Sequence, residues 1–270
     1  MRVDYHTHHY RCGHAEGEMA DYAEAAIAVG FDEIGLSDHS PIYHLGDDPQ
    51  ARPQTAMSQH ELPRYMRAME EVRGAYAGRI TVRLGVESDY IAGWDAHYRG
   101  LWAGYPLDYA IGSVHWLFGD WSIFSRHLPA GRTVDEVYAE YLRCTIGAAR
   151  SGAYDIIGHL DCIKTNGWLP ARWRTPLLEE TVAALAEGGV AIELNVSGWR
   201  KPVADCYPGP ELLTLCQRAG VPVTFGSDAH RPEQVGFQWQ RAVALLRAVG
   251  YGEIATFRGR QRVMVPLEDG

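Results

Sequence analysis

Short apolar runs alternate along the chain with longer segments in which apolar residues recur every three or four positions. The short runs are rich in β-branched residues and are typical of buried strands, whereas the longer segments are typical of helices that cover a sheet. The pattern predicts seven strands, at residues 2–5, 31–36, 80–84, 109–114, 154–158, 190–194 and 221–225.

The helices between these strands are predicted from their capping residues. Ser58 and Glu61 have the spacing of a capping box, and so do Thr133 and Glu136. In this arrangement the side chain of each residue bonds the backbone N–H of the other. The predicted helices are 16–29, 58–76, 94–102, 133–150, 175–188, 210–220 and 232–249.

The regular alternation of strand and helix indicates an α/β fold. Nearly every predicted strand ends in a polar residue, and in closed barrels the active site lies at this carboxyl-terminal face. An open doubly wound sheet would concentrate its site at one switch point. We therefore expect a distorted (β/α)7 TIM-like barrel, in a single domain over 1–270. Two predicted loops, 41–56 and 116–132, would lie over the site.

Composition narrows the possible partners and location. The chain of 270 residues has a net charge of −9 and a pI near 5.7, which disfavours a nucleic-acid-binding surface. No signal peptide or apolar run of transmembrane length is recognised, so we expect a cytoplasmic protein without membrane association. The cysteines form no CxxC pair, which favours a reducing compartment. They are Cys12, Cys144, Cys162, Cys206 and Cys216.

Histidines are concentrated at the predicted strand ends. His6 and His8 are two positions apart in an extended segment, so their side chains share a face. A single such histidine is more often a hydrogen-bonded residue at a barrel rim, but the whole set indicates a multinuclear metallohydrolase. Imidazole and carboxylate ligands together suit zinc, iron or manganese. The histidines at strand ends are His6, His8, His14, His39, His115, His159 and His230.

These motifs, in this order, resemble those of the PHP (polymerase and histidinol phosphatase) metallophosphoesterases. The resemblance covers almost the whole chain and implies a distorted seven-stranded barrel. The segments that carry it are His6-Thr7-His8, Cys12-Gly13-His14, Ser37-Asp38-His39-Ser40, Glu87, Gly112-Ser113-Val114-His115, Gly158-His159 and Gly226-Ser227-Asp228-Ala229-His230.

The resemblance also implies three divalent or trivalent metal ions, which would be zinc, iron or manganese. The first ion would be bound by His6, His8, Glu87 and Asp228. Glu87 would bridge to a second ion, which His115 and His159 complete. His14, His39 and His230 would bind the third. Asp38 would orient a neighbouring imidazole from outside the ligand set, or alternatively cap a strand end.

Segment 195–201 and the pair Tyr207-Pro208 resemble the histidinol-phosphatase branch of this family. The expected reaction is hydrolysis of L-histidinol phosphate, a step of histidine biosynthesis, by a hydroxide that bridges two of the metals. Asp228, Glu87 and Arg200 are the predicted catalytic residues. Alternatives are a phosphoesterase for another small phosphorylated metabolite or nucleotide, and a metal-binding module without catalysis.

The expected partner is thus a small phosphate ester. The guanidinium of Arg200 offers a planar fork for a phosphoryl group, with Lys201 beside it and Lys164 as a third cation. Trp116 and Tyr207 are predicted walls for the imidazole of the substrate, although rim aromatics also pack under loops. Further candidates are Trp168 and Trp199 for the imidazole, and Asp89 and Asp161 for the ammonium group.

Overall fold

Parallel strands lie at the centre of the fold in the computed structural model, which describes residues 1–46 and 55–268. These parallel strands are short and mostly buried, as expected for strands covered on both faces. Together with the strands of two antiparallel hairpins, they are, in chain order, β1 (Val3–Asp4), β2 (Glu33–Leu36), β3 (Thr81–Leu84), β4 (Glu87–Asp89), β5 (Ile111–Ser113), β6 (Trp116–Leu117), β7 (Trp121–Ser122), β8 (Ile156–Ile157), β9 (Ala191–Asn195), β10 (Val223–Gly226), β11 (Glu253–Arg258) and β12 (Gln261–Pro266).

The parallel strands form two sheets. One has three strands in the order β1-β2-β3, and the other has five in the order β10-β9-β8-β5-β4. A helix lies in the chain between the two strands of each parallel pair, as parallel pairing requires. They are α1 (Met19–Ala28), α2 (Leu62–Ala75), α3 (Asp95–Ala103), α4 (Val134–Arg150), α5 (Pro176–Gly188), α6 (Pro210–Arg218) and α7 (Trp239–Val249).

Backbone hydrogen bonds join the two sheets at their edges. The N–H of Tyr5, just after β1, donates to the carbonyl of Phe225 in β10 over 3.0 Å. At the other side, the N–H of Asp108 donates to the carbonyl of Leu84, the last residue of β3, over 2.7 Å. The carboxyl-terminal ends of strands from both sheets are therefore brought to one face of the molecule.

Tyr109 fills the space between the sheets below that face. Its hydroxyl donates to the carbonyl of Tyr5 over 2.6 Å, and the two rings are 5.0 Å apart. A Cβ atom at Gly35 would lie 2.0 Å from the Tyr109 hydroxyl, and one at Gly85 would lie 2.2 Å from the Tyr109 ring. Glycine is thus required at both positions, because any side chain would collide with this ring.

All seven predicted strands and the predicted helices are confirmed, with boundaries that are shorter or shifted by a few residues, but β4 was not predicted as a separate strand. Helix α2 begins later than predicted, because the Ser58 hydroxyl accepts from the N–H of Glu61 in a turn that precedes the helix. Helix α7 also begins later, at Trp239, since Gly236 and Gln238 have positive φ values of 68° and 56°. Part of the predicted loop 41–56 lies outside the described residues.

The prediction was wrong for two segments that form hairpins. The predicted loop 116–132 contains the antiparallel pair β6 and β7, and the predicted tail contains the antiparallel pair β11 and β12.

Within the described residues, no helix is long and apolar enough to cross a membrane.

Candidate metal centre

The predicted metal ligands converge at the carboxyl-terminal face of the two sheets. His6 and His8 follow β1, His115 follows β5, His159 follows β8, and Asp228 follows β10. Several of them line a cavity of about 410 Å³. The cavity-lining candidates are His14, His39, Glu87, His115, His159, Asp228 and His230.

Glu87 lies at the centre of the group, and one of its oxygens faces the histidines of β1. Its Oε2 atom lies 3.3 Å from Nε2 of His6 and 3.5 Å from Nε2 of His8. Nε2 of His8 is also 3.3 Å from Oδ1 of Asp228. Nδ1 of His39 lies 2.8 Å from the same Oε2 atom of Glu87. In the described part of the chain, both Nε2 atoms are buried without a hydrogen-bond partner.

Buried polar atoms without partners are costly, so a group of them that converges on one point calls for a bound cation. Here the atoms are imidazole nitrogens that face carboxylate oxygens, and both are donor types that bind zinc and similar ions. Donor atoms of His6, His8 and Glu87 lie within 4.8 Å of one another. The residues present therefore fit a metal ion at this point.

The other oxygen of Glu87 faces a second pair of histidines. Oε1 lies 2.8 Å from Nε2 of His159, and that nitrogen lies 3.1 Å from Nε2 of His115. Glu87 is thus placed between two donor groups, as a bridging carboxylate must be.

The third predicted ligand set also comes together, in a grouping that differs from the predicted one. The rings of His14 and His230 are 4.9 Å apart, and those of His14 and His39 are 5.1 Å apart. Donor atoms within 4.8 Å of one another, however, belong to His8, His39 and His230 in one group, and to His39, Glu87 and His115 in another. His8 and His39 therefore connect the sets.

An oxygen atom contacts Nδ1 in each of six of these imidazoles. A ring that donates from Nδ1 keeps its lone pair on Nε2, which is then free to bind a metal. The partners are Glu193 for His6 (2.8 Å), Asp38 for His8 (3.3 Å), the Cys12 carbonyl for His14 (3.3 Å), Glu87 for His39 (2.8 Å), Asp89 for His115 (2.9 Å) and the Asp228 carbonyl for His230 (3.0 Å).

The carboxylates at the centre are held in the charged form. Burial opposes the charge on Glu87, but the imidazoles of His39 and His6 outweigh it and keep its pKa well below the usual value. The pKa of Asp228 is lowered in the same way, against the effect of burial, by His6 and His8. Both carboxylates therefore remain ionised near neutral pH, as binding of a divalent cation requires.

Two of the outer imidazoles are held in the neutral form. Burial and the nearby His39 lower the pKa of His14 to about 4, and burial and His8 lower that of His230 to about 3. Burial opposes protonation of His8 too, but contacts with the carboxylates of Asp228 and Asp38 raise its pKa to about 9. The surroundings of His8 therefore stabilise positive charge.

Arg200 and Lys201 form one wall of the cavity, together with Tyr207. Nη2 of Arg200 donates to the carbonyls of Ser227 (3.0 Å) and Asp228 (2.9 Å), which fixes the guanidinium beside a ligand. In the described residues its Nη1 has no hydrogen-bond partner. The ammonium of Lys201 lies 5.8 Å from the Tyr207 ring centroid.

Other predicted substrate contacts lie elsewhere. Lys164 is absent from the lining of this cavity, because its ammonium pairs with Asp205 (2.6 Å) and Asp161 (3.1 Å). Trp116 lines an adjoining cavity of about 380 Å³, where its indole N–H donates to Asp89 over 3.2 Å.

The remaining two candidates for an aromatic wall are engaged outside both cavities. Trp168 stacks on Trp121 with ring centroids 6.0 Å apart. Trp199 packs beneath the guanidinium of Arg241 at 3.9 Å. Phe124, which was not predicted, lines both cavities.

Three polar residues around the ligands were also missed. Ser197 donates to Oδ2 of Asp228 over 3.0 Å, Asn195 lies 3.4 Å from the same oxygen, and Glu193 contacts His6. A signal for Glu193 was available: it is a carboxylate within the otherwise apolar run of β9, where a charged residue needs a partner.

Comparison with known proteins identifies the family. The PHP domain model matches residues 4–197, and a PHP-associated model matches residues 213–241. A protein of Deinococcus radiodurans named probable histidinol-phosphatase is 38% identical over 261 residues, which cover 96% of this chain and 97% of that protein. The histidinol-phosphatase of Bacillus subtilis is 29% identical, over 89% of this chain and 97% of that protein.

A solved structure shares the fold. The crystal structure of histidinol phosphate phosphatase from Lactococcus lactis subsp. lactis, complexed with Zn, L-histidinol and phosphate, superposes with a TM-score of 0.82. The match covers 97% of this chain and 98% of that chain, at 24% identity. The predicted resemblance is thus confirmed by the sequence and fold comparisons, and the chain belongs to the PHP domain family.

Proposed function

We propose that this protein is a metal-dependent phosphomonoesterase that hydrolyses L-histidinol phosphate to L-histidinol and inorganic phosphate. The observation that carries the proposal is the convergence of the predicted metal ligands at one site: seven of them line one cavity, and the other two, His6 and His8, lie against Glu87. The chain also matches histidinol-phosphatases over nearly its whole length. The D. radiodurans relative, which bears that name, supports the choice of substrate.

The chain would hold three metal ions with the ligand sets that the family resemblance implies. His6, His8, Glu87 and Asp228 would hold the first, Glu87, His115 and His159 the second, and His14, His39 and His230 the third. Bound there, zinc, iron or manganese would supply Lewis acidity toward the phosphoryl oxygens and a water of lowered pKa. The L. lactis enzyme contains zinc, which supports that metal among the three.

The residues of the chain itself position the ester. Nη1 of Arg200 is the phosphate donor, since it lies in the cavity wall beside Asp228 and has no partner among the described residues. The ammonium of Lys201 adds a second positive charge on the same side. Ser197 and Asn195 restrain the Asp228 carboxylate, so that it keeps its orientation when substrate enters.

The organic part of the substrate would extend toward the adjoining cavity. Trp116 and Phe124 offer aromatic surface there for an imidazole ring, and Asp89 offers negative charge for an ammonium group. Tyr207 would close the phosphate side. Lys164 would not contact the substrate, because its ammonium already pairs with two carboxylates.

A closed barrel is the architecture that best accounts for the site. Hydrogen bonds link the residue after β1 to β10 and the end of β3 to the residues before β5. Only residues 85 and 86 separate β3 from β4, so these two would count as one interrupted strand, and the two sheets would form one distorted seven-stranded barrel. A continuous cluster of buried side chains from Val3 to Leu267 supports one domain over the whole chain. Location in the cytoplasm remains a prediction from the amino-acid sequence.

The test is phosphate release by the metal-loaded protein from L-histidinol phosphate, compared with nucleotides, phosphotyrosine and sugar phosphates. We expect kcat/KM for L-histidinol phosphate to exceed all others by at least about 100-fold, because one buried ionic contact contributes roughly that factor. Comparable rates on all esters would indicate a phosphoesterase for another small metabolite. No turnover of any ester by the loaded protein would indicate a non-catalytic metal-binding module.

A further inference from the structure

Glu193 lies where three of the ligand-bearing strands meet, yet it is not itself part of the predicted ligand sets. Its side chain is only 1% exposed. Oε2 lies 2.8 Å from Nδ1 of His6. Oε1 accepts from the backbone N–H of His159 over 2.5 Å and from the Asn195 amide over 2.8 Å. One carboxylate thus contacts a ligand of the first metal set and the backbone of a ligand of the second.

The position of Glu193 in the sheet explains this reach. Strand β9 lies between β8, which precedes His159, and β10, whose far side faces β1. Gly226 in β10 leaves the space through which the carboxylate passes. A Cβ atom there would lie 2.4 Å from Oε2 of Glu193 and 2.8 Å from the Cβ of His6.

The charge environment of Glu193 differs from that of a structural carboxylate in the same fold. Glu33 in β2 is also buried, but it pairs with the guanidinium of Arg83, a permanent cation. The ion-pair partner of Glu193 is the imidazole of His6. Because a buried carboxylate is costly unless a positive charge is near, a metal on Nε2 of His6 would compensate Glu193 through the ring.

The contact with His159 adds a second constraint. His159 has a positive φ of 23°, a backbone conformation that residues other than glycine rarely adopt. The bond from its N–H to Glu193 anchors this conformation. The same carboxylate therefore sets the ring orientation of one ligand and the backbone position of another.

We propose that Glu193 is a positioning residue of the metal centre, which holds His6 with Nε2 toward Glu87 and fixes His159 on the other side of that carboxylate. This inference rests on the metal centre of the proposed function and is independent of its substrate. If the substrate assignment fails, the proposal for Glu193 is unaffected, since the test of Glu193 measures metal binding.

The test compares Glu193→Gln with Glu33→Gln, a matched replacement of a buried glutamate that contacts no predicted ligand. Zinc is removed from each protein, and the dissociation constant for zinc is then measured by competition with a chromophoric chelator. Thermal unfolding is recorded for the zinc-free and zinc-loaded forms of both variants and of the unchanged protein. Glu193→Asp, which retains the charge but is one methylene shorter, is the second variant at this position.

We expect Glu193→Gln to weaken zinc binding by about 10- to 100-fold, the usual effect of losing an acceptor that orients a ligand. The rise in melting temperature on zinc loading should shrink, while the zinc-free protein unfolds near its original temperature. Glu33→Gln should lower the melting temperature of both forms and leave zinc affinity unchanged.

Unchanged zinc affinity in Glu193→Gln would overturn the proposal. So would an equal loss of melting temperature in its zinc-free and zinc-loaded forms, because that result describes a purely structural role. If Glu193→Gln does not fold, Glu193→Asp decides by the same two criteria.

Discussion

Oε1 of Glu87 lies 2.8 Å from Nε2 of His159, while its second oxygen faces His6 at 3.3 Å. Glu87 begins β4, and His6 and His159 follow β1 and β8, so one side chain connects ligands from three separate strands. A carboxylate in this position can neutralise two cations at once and keep them at a fixed separation. The integrity of the metal centre should therefore depend on Glu87 more than on any single histidine.

Replacing Glu87 by Gln should remove the bridge with little change in volume. We expect loss of at least one metal ion per chain and a fall in kcat/KM of about 1,000-fold or more, since metal-assisted steps contribute several kcal/mol. Metal content by mass spectrometry and phosphate release are the measurements. Glu71→Gln, at an exposed position of α2, is the control. Full metal content in Glu87→Gln would contradict the bridging role.

Replacing Arg200 by Ala should impair the reaction while the metals remain bound. A donor aimed at developing phosphoryl charge contributes about 100- to 1,000-fold in kcat, and we expect a loss in that range. Arg200→Lys keeps the positive charge but lacks the planar pair of N–H donors of the guanidinium, so it should recover only part of the rate. Wild-type kinetics in Arg200→Ala would exclude the role, and loss of metal would show that its bonds to Ser227 and Asp228 matter more.

The ligand positions were predictable because the pattern of short strands places their ends at one face. His6, His115 and His159 each follow a buried apolar run, and parallel strands of one fold present their ends together. No knowledge of side-chain contacts is needed for that inference. The same reasoning placed Arg200 beside the site, since it lies a few residues after β9.

Contacts between distant side chains were not predictable in this way. The pairing of Lys164 with Asp205 depends on two loops that meet only in the folded chain, and it removes Lys164 from the cavity. Glu193 points inward toward His6, which its place in an apolar run suggests but does not specify. The hairpin of β11 and β12 was missed because it follows the last predicted helix, where no candidate metal-binding or catalytic residue was recognised at the end of a strand.

Removal of metal should lower both activity and stability. A ligand that binds only the folded state stabilises it by about 2.7 kcal/mol when the free ligand concentration is 100 times the dissociation constant. We expect a chelator to abolish phosphate release and lower the melting temperature, and zinc, manganese or iron to restore both. Magnesium should restore neither, because imidazole-rich sites bind it poorly. Full activity after verified loss of all metal would refute the mechanism.

Replacing Gly35 by Ala should destabilise the fold without touching the metal centre. The new Cβ would lie 2.0 Å from the Tyr109 hydroxyl, so the ring must shift and its bond to Tyr5 be lost. Overpacking of this kind costs about 1–3 kcal/mol. Gly74→Ala is the matched control: it lies in α2 with nothing within 4 Å of its added methyl, and should stabilise by about 0.5–1 kcal/mol. Urea unfolding measures both. Equal stability of the two variants would mean that Tyr109 does not occupy the space above Gly35.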